Sequence, residues 1–187
     1  ENRLDITKEF SKFIEVFHED TNAVLVREDY HTSTYMTFID AIENTVFLKW
    51  KYRDTFLDID EYLEHIGIRK EAIDYLEYNI DKETFLRYIE FIFNMIALID
   101  NEKSITIQPL TMAAIENIPI ILEKMNYKIE KVDEEKYIIT KRNADVDSVL
   151  TKVPQNISRL LLEYNDFRIQ NNIEAKRKIL KDIDLYI

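Results

Sequence analysis

The chain has 187 residues, of which 46% are hydrophobic, and its 36 acidic against 25 basic side chains leave a net charge of −11. The chain has a single glycine, Gly67. This scarcity excludes phosphate-cradling loops and nucleophile elbows, because these motifs need glycines where the backbone turns tightly. The absence of cysteine excludes disulfide bonds, thiol nucleophiles and thiolate metal sites.

Apolar residues with a period of 3.6 predict helices along the first half of the chain. A short helix is predicted over Thr7–His18. A longer amphipathic helix is predicted over Thr32–Arg53, with an N-cap among its first three residues. Two further short helices are predicted over Ile59–His65, which Gly67 stops, and over Arg69–Tyr78.

The most apolar helix is predicted over Asp81–Asp100. Two apolar stripes run side by side along it, so we expect it to lie centrally in the core. Pro109 and Pro119 are predicted to occupy the first turns of helices that run to about Met125.

Residues 127–142 alternate between apolar and polar side chains on either side of the acidic turn Asp133–Glu135. This pattern predicts an antiparallel β-hairpin. Because an isolated hairpin is marginal in water, residues 104–107 are a candidate third strand beside it. Helices are then predicted from Pro154 and from about Asn172.

The predicted fold class is therefore mainly α, a multi-helix domain with one small antiparallel β-hairpin. Charge is unevenly distributed: residues 1–123 hold 12 basic and 25 acidic residues, whereas residues 124–187 hold 13 basic and 11 acidic ones. We predict an acidic helical body at residues 1–126 and a hairpin with C-terminal helices at residues 127–187, either as two parts or as one continuous domain.

The first residues and the longest apolar stretch bear on the compartment of the protein. The charged first residues do not form a secretory signal, and the longest apolar stretch, Phe91–Ile99, is too short to span a bilayer. We therefore expect a cytoplasmic protein with no membrane partner.

The last apolar pattern stops at Ile187 without the Gly or Asn that commonly follows a helix, so we expect the chain to be a fragment of a longer protein.

Catalytic groups are scarce in this sequence. No serine lies in a recognisable nucleophile turn, and the Glu-x-x-His at Glu15–His18 lacks the second copy that a di-iron bundle needs. The densest candidate metal ligands are Asp58, Asp60, Glu61 and His65, which could hold Mg²⁺ or Mn²⁺ in a carboxylate-metal-dependent enzyme. We favour the alternative that they form a solvated acidic face, and we predict no catalytic residue and no cofactor.

A helix followed by a hairpin has the outline of a winged helix, which makes nucleic acid an alternative partner. The candidate binding residues are Lys141, Arg142, Arg168, Lys176, Arg177, Lys178 and Lys181. The acidic residues Asp133–Glu135 at the hairpin tip and the charge of −11 oppose binding to phosphates. Nucleic acid is therefore a weaker prediction than a protein partner.

The segments Leu162–Asn165 and Asn172–Leu180 follow the hairpin, and together they resemble an internal region of bacterial abortive-infection proteins, a phage-defence family. Some members carry a C-terminal HEPN domain, a helical ribonuclease module with the signature Arg, four to six residues, then His. This signature is missing here, because Arg27 and His31 have only three residues between them. The resemblance covers the last third of the chain and implies that this chain is a noncatalytic part.

These patterns favour a noncatalytic protein–protein interaction or regulatory domain, with a protein partner or a second copy of the chain. By resemblance it would act in phage defence. Tyrosines near the apolar stripes fit core packing and fit an interface equally well, so they do not identify the partner surface.

Overall fold

The chain forms two compact units, each described by itself below. The structure is a computed structural model and describes residues 4–70, Ile73 and residues 79–186. The first unit is Glu1–Ile118 and the second is Pro119–Ile187. With 12 basic and 24 acidic residues the first unit carries −12, whereas 13 basic and 12 acidic residues give the second +1.

The first unit is mainly helical, as predicted. Its elements include α1 (Ile6–Ile14) with a π-helical turn (Glu15–Glu19), α2 (Phe38–Thr45) with a 3₁₀ turn (Phe47–Lys49), α3 (Ile59–His65) and α4 (Lys82–Ile99). The helices predicted near residues 7–18, 59–65 and 81–100 are confirmed. The helix predicted over Arg69–Tyr78 falls largely outside the described residues.

Each of these four helices begins at a polar side chain that caps it. Asp5, Thr37, Asp58 and Asp81 each accept a hydrogen bond from the backbone amide three residues further on, at 2.7–3.1 Å. A cap satisfies one of the amides that a helix leaves without a partner. Several acidic side chains of the first unit therefore have a structural role.

The central position predicted for α4 is confirmed. Its Phe85 packs against Phe10 and Phe13 of α1, with ring centroids 6.5 and 6.1 Å apart. Its Phe91 packs against Phe47 at 6.4 Å. Among the described residues, neither α4 nor any other helix is long and apolar enough to cross a membrane.

The single helix predicted over Thr32–Arg53 is wrong in its first part. Ser33–Met36 is strand β2, which pairs antiparallel with β1 (Val24–Arg27). Thr34 and Tyr35 belong to residue types that favour strands, and β1 supplies hydrogen-bond partners that an isolated helix would not use. The N-cap predicted among Thr32–Thr34 is also wrong, because α2 starts only after its cap Thr37 and ends at Thr45.

The candidate strand at residues 104–107 exists as β3 (Ile105–Ile107), but its predicted partner is wrong. It pairs antiparallel with β1, in the strand order β2-β1-β3. Val24 pairs with Ile107, and the side chain of Val24 is fully buried. Pairing with β1 thus extends a sheet that buries apolar residues within the first unit. The partner of β3 was predicted wrongly because the sequence analysis did not recognise β1 as a strand.

The second unit contains the predicted hairpin. After α5 (Pro109–Lys124), in which the boundary between the units lies, come β4 (Tyr127–Asp133), β5 (Lys136–Lys141), α6 (Ala144–Leu150), α7 (Gln155–Tyr164), a 3₁₀ turn (Phe167–Ile169) and α8 (Ile173–Asp184). The hairpin and the helices predicted from Pro154 and Asn172 are confirmed. The short helix α6 was not predicted.

The prediction that Pro119 occupies a first turn is wrong, because Pro119 lies inside α5. Proline lacks a backbone N–H and usually ends or kinks a helix. Here Ile115, Ile118 and Leu122 are buried on either side of it. Burial of these side chains favours a continuous helix despite the missing hydrogen bond.

Gly67 ends α3 in a conformation that glycine adopts readily. Its φ is +99°, and the amide of Ile68 donates to the carbonyl of Leu63 at 2.8 Å, which closes the helix. A Cβ on Gly67 would lie 3.0 Å from Oγ1 of Thr84. Both the backbone conformation and the close neighbour therefore favour glycine.

We expect Gly67→Ala to lower the free energy of unfolding by about 1–2 kcal/mol, because a side chain is strained at this φ. Urea denaturation of the full chain, followed by the fluorescence of Trp50, measures this change. Glu64→Ala at an exposed position of the same helix is the control, with an expected change within about 0.5 kcal/mol. Equal changes in the two variants would contradict the role assigned to Gly67.

Candidate functional site

A polar cavity of about 400 Å³ opens in the second unit, and we call it the lysine–amide cavity. Its described lining residues are Lys141, Asn143, Tyr164, Asn165, Gln170, Asn171 and Lys176. Two of these seven are cations, four carry carboxamides, and none of them is a carboxylate. In a chain with 36 acidic side chains, this composition favours an anionic ligand.

Three segments form the cavity: the end of the hairpin, the end of α7 and the residues that lead into α8. Lys141 ends β5, and its amide donates to the carbonyl of Asn165 at 3.1 Å, which joins the hairpin to the end of α7. Asn143 caps α6, where its Oδ1 accepts hydrogen bonds from the amides of Asp145 and Val146 at 3.1 and 3.3 Å. The backbone bond from Lys141 thus holds the first two walls together, and the cap fixes the side chain of Asn143.

The segment that leads into α8 forms the third wall. Gln170 and Asn171 line the cavity, and Asn172 then caps α8 by accepting from the amide of Ala175 at 3.0 Å. Lys176 follows within the second turn of this helix. Because the amino end of a helix carries a partial positive charge, α8 adds to the preference for an anion.

An ion pair between exposed Arg168 and buried Asp166 lies beside this wall in the sequence. Nε of Arg168 lies 2.9 and 3.1 Å from the two carboxylate oxygens of Asp166. Asp166 also forms a backbone bridge with Thr140. Arg168 thus compensates the charge of the buried Asp166 carboxylate next to Asn165. This carboxylate therefore does not need a lysine of the cavity as its partner.

Both lysines of the cavity are available to a ligand. Nζ of Lys176 lies 4.8 Å from the centroid of the Tyr164 ring, a cation–π distance that orients the ammonium group. Within the described part of the chain, neither Lys141 nor Lys176 forms an ion pair with a carboxylate. Lys141 lies exposed, whereas Lys176 is half-buried.

The carboxamides add further donors. Oδ1 of Asn143 is occupied by the cap of α6, so its Nδ2 remains as a donor. Nδ2 of Asn165 donates to the carbonyl of Leu161 at 3.0 Å, which leaves its Oδ1 as an acceptor. Nε2 of half-buried Gln170 is itself buried and has no hydrogen-bond partner. The cavity therefore offers more donors than acceptors, as a ligand rich in acceptors requires.

The structure brings together two of the seven predicted nucleic-acid-binding residues. Lys141 and Lys176 line the cavity. Arg142 pairs with Glu123 at 3.0 Å, and Arg168 is engaged with its own neighbour as described above. The other three lie exposed on α8 and are not among the described lining residues, namely Arg177, Lys178 and Lys181.

The hairpin itself does not present a basic face. Lys128 on β4 lies 2.7 Å from Asp147 and also contacts Glu130. Burial alone lowers the pKa of Lys128, but hydrogen bonds to these two carboxylates outweigh burial and raise it. Because its charge is compensated and the turn carries Asp133–Glu135, the hairpin is poorly suited to contact phosphates as a wing would.

Three of the four candidate metal ligands Asp58, Asp60, Glu61 and His65 have side chains with other partners, and Glu61 contributes only its backbone amide to the cap of α3. Asp58 caps α3, and Asp60 pairs with Lys70 at 2.5 Å. The ring of His65 packs on Phe56, with centroids 4.9 Å apart. Among residues 4–70, 73 and 79–186, no group of three histidine, aspartate or glutamate side chains is arranged to hold a metal ion.

His18 is a titratable group whose environment the sequence did not predict. In the π-helical turn, its Nε2 lies 3.0 Å from the hydroxyl of Tyr88. Burial lowers the pKa of His18 to about 4, although Asp60 acts in the opposite direction. His18 is therefore neutral near pH 7, and its packing on the fully buried Tyr88 indicates a structural role.

Sequence analysis identified the two lysines of the cavity but not its uncharged residues. Amides carry no charge pattern, and they come from segments that meet only in the folded chain. The one local signal is the run Gln170–Asn172 before a helix, together with an asparagine at the start of two helices.

Comparisons of the chain with protein-family models, with curated proteins and with solved structures found no match. The resemblance to abortive-infection proteins therefore stays a prediction. The function below is argued from the lysine–amide cavity.

Proposed function

We propose that this chain is a noncatalytic regulatory domain that binds a small phosphate-bearing molecule in the lysine–amide cavity. One observation carries the proposal: the described lining residues of this cavity include two lysines without carboxylate partners and no carboxylate, in a chain of net charge −11. Negative charge elsewhere would repel such a ligand, so the local arrangement must supply the attraction.

A small ligand fits better than a long nucleic acid. A polymer needs a basic face along its backbone, since phosphate contacts supply most of its affinity. The second unit carries only +1, and several of its basic side chains are compensated by neighbours. A cavity of about 400 Å³ lies within the range typical of small-molecule sites.

The chemistry of the lining supports binding rather than catalysis. General acid–base catalysis usually employs a histidine or a carboxylate beside the reacting group. The described lining residues contain neither. Lysines and carboxamides instead suit recognition of charge and of hydrogen-bonding groups.

We expect Lys141→Ala and Lys176→Ala each to weaken the binding of pyrophosphate about tenfold, because each removes one charged contact. Isothermal titration of the full chain at low salt measures the dissociation constants. Lys152→Ala, which removes an exposed lysine elsewhere in the second unit, is the matched control and should bind as the unmodified chain does. Absence of binding at low salt, or equal binding by all variants, would refute the proposal.

A protein partner is a second candidate, favoured by the outer face of α8. Ile173 and Leu180 lie two turns apart on this helix and are 66% and 47% exposed. Exposed apolar side chains at such spacing are typical of helix-mediated contacts. If a second copy of the chain is the partner, light scattering should show an association that depends on concentration, and Leu180→Lys should abolish it. An unmodified chain that stays monomeric at all concentrations would exclude self-association. A role in phage defence would follow only from the resemblance.

A further inference from the structure

We infer that the lysine–amide cavity takes a nucleoside monophosphate, with its phosphate at Lys141 and Lys176 and its base at the carboxamides. This inference rests on the proposed function and names the class of ligand for the same site. Three properties of the cavity support it: the charge of its lysines, its volume, and the hydrogen-bonding groups that remain free.

The charge of the lysines matches a phosphate monoester. Two ammonium groups line the cavity, and no carboxylate is among the described lining residues. A phosphate monoester carries about −1.5 to −2 near pH 7, whereas each phosphodiester of a nucleic acid carries −1. A monoester therefore compensates both lysines with a single group.

The volume accommodates more than a phosphate. A cavity of about 400 Å³ is far larger than one inorganic ion and falls in the range for small organic ligands. The walls beyond the lysines consist of Asn143, Asn165, Gln170 and Asn171, beside the ring of Tyr164. Because these walls are polar, the rest of the ligand must form hydrogen bonds rather than bury an apolar surface.

The carboxamides present a donor and an acceptor of the kind that read a nucleobase. Nε2 of Gln170 is buried without a partner, and Oδ1 of Asn165 remains free to accept because its Nδ2 is bonded to Leu161. The terminal torsion of a glutamine side chain is broad, and Gln170 lines the cavity, so a bound base can draw its amide N–H into a hydrogen bond. Nucleobase edges place an acceptor next to a donor, and asparagine and glutamine amides pair with such edges.

Tyr164 acts indirectly in this arrangement. Its ring face is covered by the ammonium group of Lys176 at 4.8 Å, so it does not serve as a stacking platform for a base. It instead positions Lys176 toward the phosphate. We therefore assign specificity for the base to Gln170 and Asn165 and affinity for the phosphate to the two lysines.

The test compares AMP, GMP, CMP and UMP with ribose 5-phosphate and pyrophosphate by isothermal titration of the full chain. At least one nucleotide should bind about tenfold more tightly than ribose 5-phosphate. Gln170→Ala should weaken the binding of that nucleotide about tenfold more than it weakens the binding of ribose 5-phosphate, so that the difference disappears. Gln155→Ala, at an exposed amide at the start of α7, is the matched control and should preserve the difference.

A second measurement does not depend on a variant that folds. In the unmodified chain, the side-chain amide signals of Gln170 in a ¹H–¹⁵N spectrum should shift on addition of the tightest nucleotide and stay in place with pyrophosphate. Shifts of equal size with both would overturn the inference.

The outcomes separate this inference from the proposed function. If pyrophosphate and ribose 5-phosphate bind as tightly as every nucleotide, the base is not read and the inference fails, while the phosphate site stands. If no anion binds, both fail. If a 5′-phosphorylated single-stranded oligonucleotide binds far more tightly than any mononucleotide, the ligand is a polymer and the inference is overturned.

Discussion

Replacing Phe85 with alanine should lower the free energy of unfolding of the first unit by about 3–5 kcal/mol, the range for removing a buried phenylalanine. Phe85 is 0% exposed and lies on α4, which supplies much of the core of this unit. Its ring contacts Phe10 and Phe13 from α1. The loss has two sources, because the substitution removes apolar burial and leaves a cavity that its neighbours fill only in part.

Urea denaturation of the full chain measures this loss. Trp50 is the only tryptophan and is buried in the first unit, so its fluorescence reports the unfolding of that unit. Leu57→Ala is the control, since Leu57 is 70% exposed and its truncation should change the stability by less than about 0.5 kcal/mol. A loss below about 1 kcal/mol for Phe85→Ala would contradict the central position of α4.

Acidification should destabilise the first unit through His18. Burial lowers the pKa of His18 in the folded chain to about 4, against an ordinary value of 6.5. The unfolded chain therefore binds a proton more readily than the folded one between these values. The stabilisation is fully present above pH 6.5 and is lost as the pH falls toward 4, by about 3 kcal/mol in all.

Comparison with His18→Gln isolates this contribution. Glutamine does not titrate, so the free energy of unfolding of the variant should depend much less on pH between 6.5 and 4.5. Asp81 is a separate source of acid sensitivity, since its hydrogen bond from the amide of Thr84 lowers the pKa of its carboxyl below the usual value. Its effect lies below pH 4 and is present in both chains. Parallel pH profiles of the two chains above pH 4.5 would show that His18 is not the group responsible.

Long periodic segments were the most predictable part of the fold. The helix Lys82–Ile99 follows from an apolar pattern of five turns and from the cap Asp81, because many side chains contribute to one signal. The hairpin β4–β5 was equally predictable, since alternation on both sides of a short acidic turn favours one pairing.

Short segments were not predictable in the same way. Ser33–Met36 matches a helical period at a single aromatic, yet it forms a strand because β1 lies beside it. Ile105–Ile107 was recognised as a strand but assigned to the hairpin, although it pairs with β1. In three or four residues the local preference is weak, so the partner that tertiary folding supplies decides the structure.

The candidate site was likewise predictable only in part from the sequence. Charge marked Lys141 and Lys176 in the sequence, but it marked Arg142 and Arg168 equally, and these two are paired with carboxylates in the structure. No sequence pattern distinguished the available cations from the compensated ones. The carboxamides carry no charge, and their grouping depends on contacts such as that of Lys141 with the carbonyl of Asn165.

The sequence by itself determined a mainly helical chain, its hairpin, the acidic character of its first part and the exclusion of glycine- and cysteine-based sites. These properties depend on neighbouring residues and on composition. Only the tertiary structure decided the three-stranded sheet, the half-buried position of His18 against Tyr88 and the lysine–amide cavity. Each of these depends on which distant segments come into contact, because strand pairing, desolvation and the compensation of charge are properties of the surroundings rather than of a residue type.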